Sequence, residues 1–153
     1  MAITQAMATS FKSEILQGYH QFTQPTLTSR TSLTSPTNDT FKIALFTSAA
    51  TLSAATTTYS TTNEVTGTNY TAGGNTLAGT ALATSGTTAY LDFTDTTWTT
   101  ATITANGAMI YNSTQGNRAV AILAFGGDKT STAGDFTIQF PTADATNAII
   151  RIA

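Results

Sequence analysis

The chain has 153 residues, a formal net charge of −2 and no cysteine; 37 of its residues are threonine, while all charged residues together make up 9%. The missing cysteines exclude a disulfide scaffold and a thiolate metal site. Lys12, Arg30, Lys42, Arg118, Lys129 and Arg151 are scattered, so no basic cluster exists for a nucleic-acid partner. No apolar run approaches the ~20 residues that cross a bilayer as a helix, and the first ten residues lack the basic and apolar stretches of a secretory leader; assembly in a cytoplasm without membrane contact is therefore expected.

In chain order, Ser10 is a candidate N-cap, and Phe11, Ile15, Leu16, Tyr19 and Phe22 follow it at spacings that place them on one face of a helix, which Gly18 weakens. Thr23 to Thr40 is dense in Thr, Ser and Pro and reads as an extended arm or long loop. Fully stretched, such a segment reaches roughly 60 Å, enough to cross onto a neighbouring subunit as readily as to wrap its own domain. Residues 1–40 are thus expected to form a helix and arm, and residues 41–153 a β domain.

From Phe41 onward, apolar residues recur at every second position: Phe41, Ile43, Leu45; Ala89, Leu91, Phe93; Phe136, Ile138, Phe140; and Ala148, Ile150, Ile152. This period marks half-buried strands. Ala119 to Phe125 is apolar on both faces and suits a central strand. Thr97–Ala105 and Ala108–Tyr111 flank Asn106-Gly107, the pair preferred in a type I′ turn, and predict a hairpin there. About eight strands at short spacing indicate a mainly β, single β-sandwich or jelly-roll-like domain.

Candidate chemistry is sparse. His20 is the single histidine and sits on the expected helix, where a surface or packing role is ordinary; no His and Cys set can hold zinc. Asp92, Asp95, Asp128, Asp135 and Asp144 are dispersed. Asp92 and Asp95 read as turn residues at a strand end rather than a glycosidase pair, while Asp128 or Asp135 could serve a loop calcium site with backbone carbonyls. Phe125-Gly-Gly-Asp-Lys-Thr130 departs from the phosphate-loop pattern and reads as a strand connection. Asn38, Asn69 and Asn112 begin glycosylation triplets, which abundant Thr produces by chance. Tyr59, Tyr70, Tyr90, Trp98 and Tyr111 could stack on a sugar, or be core residues. No residue is assigned a catalytic, cofactor-binding or metal-binding role.

The segments Phe41-Lys-Ile-Ala-Leu-Phe-Thr-Ser48, Asn63-Glu-Val65, Tyr70-Thr-Ala-Gly-Gly74, Trp98-Thr-Thr-Ala-Thr-Ile103, Ile110-Tyr-Asn112 and Asp128-Lys-Thr-Ser-Thr132 give the chain, from Phe11 to its end, a resemblance to small virion structural proteins of tailed bacteriophages. The resemblance implies a virion component without catalytic activity or cofactor, most simply a capsid cement or decoration protein that binds the major capsid protein or another virion protein. A Thr-coated surface agrees with this, because it is polar yet carries little repulsive charge. A homo-oligomer, with a trimer favoured, is expected on the same ground. A tail, neck or fibre-base component and a carbohydrate-binding module are the alternatives.

Overall fold

Alternating β-branched, aromatic and small polar residues give a mainly β chain, as expected, with 49% strand and 5% helix. The computed structural model describes residues 2–16, 18–23 and 38–153. Its elements are β1 (Ala6–Met7), α1 (Thr9–Leu16), β2 (Phe41–Phe46), β3 (Asn75–Thr76), β4 (Ala81–Ser85), β5 (Thr88–Asp92), β6 (Thr96–Asn112), β7 (Arg118–Ile138) and β8 (Ile150–Ile152). One sheet has the order β1-β7-β6-β2-β3 and the other β4-β5-β8, a β-sandwich-like arrangement with a single short helix among the described residues. The sequence reading missed β1, β3 and β4; two of them are only two residues long. Most of the expected arm, residues 24–37, lies outside the described residues.

The core forms where β2 and the inner halves of β6 and β7 lie side by side. Ile43, Leu45, Ile110, Val120 and Ile122 are fully buried there, and each contributes roughly 1.5–3 kcal/mol relative to exposure. β2 was expected to be half-buried but is covered on both faces, with Ala44 and Phe46 as inaccessible as their neighbours. Loop residues supply the second cover: Val65 N–H donates to the Leu45 carbonyl (2.9 Å) and the Tyr70 hydroxyl accepts from Leu45 N–H (2.9 Å). The run from Ala119 is central, as expected, lying between β1 and β6.

The hairpin expected at Asn106-Gly107 is absent. Both residues lie inside the continuous strand β6, and neither has the positive φ that a type I′ turn requires. The Phe125–Thr130 segment, read as a strand connection, likewise runs inside β7. The two errors share one place. Gly107 pairs with Ala124 and Ala105 with Lys129, so Phe125 to Asp128 bulge opposite Asn106 alone. Gly126 and Gly127, at φ 71° and 147°, supply conformations that side chains resist. A Cβ on Gly107 would sit 2.5 Å from the Leu123 carbonyl oxygen, so its glycine serves close strand approach. The real β6–β7 turn is Ser113–Asn117.

Helix α1 begins one residue earlier than its expected cap. Thr9 N–H donates to the Ala54 carbonyl (2.8 Å), and the Ala8 carbonyl accepts from Lys12 (3.4 Å). Ser10 therefore lies within the helix, its Oγ buried without a partner among the described residues. Gly18 ends the helix. At φ 74° it donates to the Ile15 carbonyl while Tyr19 donates to that of Glu14, the paired bonds of a Schellman motif. Tyr19, His20 and Phe22 thus follow the helix instead of continuing it.

At the C-terminus, β8 pairs with β5 as Ile150↔Leu91 and Ile152↔Ala89. The strand is shorter than the expected 148–152 and forms a sheet edge. Ile150 is buried, but Ile152 remains 50% exposed, so only one of the two isoleucines faces inward as expected.

Candidate functional site

Two polar clusters, at least partly buried, bring together the histidine and several acidic and tyrosine side chains. In the first, Glu14 on α1 accepts from Arg118 Nη1 (2.6 Å) and from His20 Nε2 (2.7 Å). His20 Nδ1 faces Asn112 Nδ2 at 3.0 Å, and the same amide donates to Asp39 Oδ2 (2.7 Å). Asn112 Oδ1 accepts from Thr114 N–H and Gln115 N–H, which fixes the amide orientation. His20 Nδ1 must then accept and Nε2 donate. The His20 side chain is wholly inaccessible and packs against Phe11, with ring centroids 4.8 Å apart, as a core histidine would. Asp39 also accepts from Gln21 N–H (2.9 Å) and donates its own backbone N–H to the Gln21 carbonyl. Gln21 and Asp39 are therefore joined by a pair of hydrogen bonds.

The second cluster surrounds Glu64, which is 8% exposed. Its carboxylate accepts from Tyr59 (2.6 Å), Tyr70 (2.7 Å) and Gly73 N–H (2.7 Å). Tyr111 donates to the Gly73 carbonyl (2.8 Å) and stacks on Tyr59, centroids 4.4 Å apart. Burial, with the adjacent Glu64 charge, pushes the Tyr111 hydroxyl up to about 12. Burial and then the hydrogen bond to Glu64 raise Tyr59 and Tyr70 well above the ordinary tyrosine range. These phenols are hydrogen-bond donors held neutral around a buried carboxylate. The sequence signal was Asn63-Glu-Val65 beside Tyr-rich loops, but nothing in it marked Glu64 as the centre.

Of the aromatic residues considered for sugar stacking, all but Tyr90 are turned inward. Trp98 and Tyr111 are buried, and the hydroxyls of Tyr59 and Tyr70 turn toward Glu64. Asp92 Oδ1 is buried without a hydrogen-bond partner among the described residues, and the other acids are separately occupied. Asp95 accepts from Phe140 N–H (2.8 Å), Asp128 from Asn106 Nδ2 (2.7 Å) and Asp135 from Thr100 N–H (3.0 Å). Asp135 pins a bulge where Thr100 holds φ 51°, a strained value for a β-branched residue. Asp144 is held below the ordinary carboxylate range by the Asn147 side chain, then by backbone N–H groups of Thr146 and Asn147. Among the described residues, no group of three acidic or histidine side chains is placed to hold a metal ion. Asn112 is wholly buried, which removes it as a glycan acceptor.

The surface offers a different feature. On the outer half of β6–β7, Trp98, Ala101, Ile103 and Ala105 turn inward, while Thr97, Thr99, Thr102, Thr104, Thr130, Thr132 and Thr137 are exposed. Cross-strand hydroxyl bonds join Thr97 to Thr137 (2.8 Å) and Thr104 to Thr130 (3.0 Å). Such pairs preorganise rows of methyl and hydroxyl groups at low conformational cost. Comparison with protein-family models, curated proteins and solved structures finds no match for the chain.

Proposed function

We propose that this chain is a structural protein of a tailed-bacteriophage virion, acting as a capsid cement or decoration protein that binds the major capsid protein on the outer shell. The observation that carries the reading is the threonine-lined β6–β7 face, an ordered polar surface whose hydroxyls pair across the strands and whose charged residues are few. The resemblance of its segments to small virion proteins supports the same assignment. In this reading the chain is not an enzyme: His20, Glu14 and Glu64 are bonded to one another or to neighbouring elements, as structural residues would be.

A tail, neck or fibre-base position is the alternative within the same virion, and copy number per particle separates the two. The inward turn of Trp98 and Tyr111 weighs against a carbohydrate-binding module. The test is binding of the purified chain to shells that lack it. Saturable binding that changes little with salt is expected, because screening acts on charges that this face hardly has. Binding to tails alone, or to glycans without shells, would overturn the cement role.

A further inference from the structure

Edge strands ordinarily carry a charge, a proline or a bulge that keeps other strands from pairing with them. β4 carries none of these. Its sequence Ala81-Leu-Ala-Thr-Ser85 is uncharged, all five residues are exposed, and its pairing with β5 is regular from Ala81↔Asp92 to Ser85↔Thr88. No strand among the described residues covers its other side. The remaining edges differ: β1 and β3 have two residues each, and β8 is three residues with Arg151 at its centre.

We infer that β4 pairs antiparallel with β4 of a second copy, joining two three-stranded sheets into one six-stranded sheet about a two-fold axis. The occupant follows from charge and register. From Gly79 to Thr88 the chain has no ionisable side chain, so self-pairing brings no like charges together, whereas a charged segment would find no partner. With the axis at Ala83, Leu82 lies opposite Thr84 of the second copy, and the two Leu82 side chains meet diagonally, within reach for long side chains. Leu82 is 57% exposed. It shares a face with Leu91 and Ile150, so the contact extends an existing apolar row. The pairing is isologous and closes as a dimer, in place of the trimer expected from composition. It stands on this edge alone and holds whether or not the virion reading does.

Because the chain has no cysteine, Ala83→Cys introduces a single thiol. Under mild oxidation it should form a covalent dimer much faster than Thr99→Cys, an exposed control on the β6–β7 face. Light scattering of the unmodified chain should give twice the 15.9 kDa chain mass. Ala83→Lys should halve that value without changing the fold seen by circular dichroism, and Ala83→Ser should keep the dimer. A wild-type monomer at the highest soluble concentration would overturn the inference. So would an oligomer that survives Ala83→Lys, or equal crosslinking at residues 83 and 99.

Discussion

Tyr70→Phe removes one oxygen and should be among the most damaging conservative changes in the molecule. That hydroxyl donates to Glu64 Oε1 and accepts from Leu45 N–H. Losing a hydrogen bond to a charged group costs about 1.5–3 kcal/mol, and leaving a buried N–H unpaired costs about 1–3 kcal/mol more. Leu45 is wholly buried, so water cannot readily replace the second bond. The expected loss is roughly 3–5 kcal/mol, a large part of a typical stability of about 5–15 kcal/mol. Tyr59→Phe also loses a bond to Glu64, but Tyr59 is half-buried and its hydroxyl accepts from no buried strand N–H, and about 1 kcal/mol is expected. Tyr111→Phe, which loses its bond to the Gly73 carbonyl, should also cost about 1 kcal/mol. Urea unfolding read as a midpoint change at constant slope measures all three. A Tyr70→Phe protein within about 0.5 kcal/mol of the parent, or more stable than Tyr111→Phe, would refute the assignment of Tyr70 as the bridge between Glu64 and β2.

The same tyrosines set an alkaline limit. Their folded values lie above the ordinary value of about 10, so their contribution is complete below that pH and is lost as pH rises through the folded values, between about 10 and about 12 for Tyr111; an unfolding signal flat to pH 12 would contradict this. Gly74→Ala would place a Cβ 1.9 Å from the Ile43 carbonyl at φ 65° and should leave little folded protein, whereas Gly86→Ala, with open space at φ 57°, should cost only about 1–2 kcal/mol; solubility and melting separate the two. Asn112→Asp should cost about 3–5 kcal/mol, because it turns a buried donor between His20 and Asp39 into an unpaired charge, and a melting temperature close to the parent's would show that the cluster is dispensable. Removing residues 149–153 deletes β8 and buried Ile150; a loss of about 2–4 kcal/mol is expected in thermal unfolding, and a shift of only a few degrees would show that the edge contributes little.

Local patterning determined the strand character, the central position of Ala119–Leu123 and the pairing of the last residues, because period-two burial is a property of adjacent residues. The helix was legible from Phe11 and Ile15, and its end from Gly18 once that glycine is understood as a terminator. The candidate site was legible only in part: the sequence left His20 as a surface or packing residue and did not give its partners. Tertiary structure alone decided that Asn106-Gly107 and Gly126-Gly127 face each other across a bulge instead of making turns. The preference of Asn-Gly for a turn is small beside the burial obtained by continuing β6 between β2 and β7. Contacts between distant positions were equally illegible. Glu14 with Arg118, Asp39 with Asn112 and Glu64 with Tyr59 and Tyr70 are joined by the fold, and the low-dielectric interior makes each buried charge depend on partners that sequence spacing does not reveal.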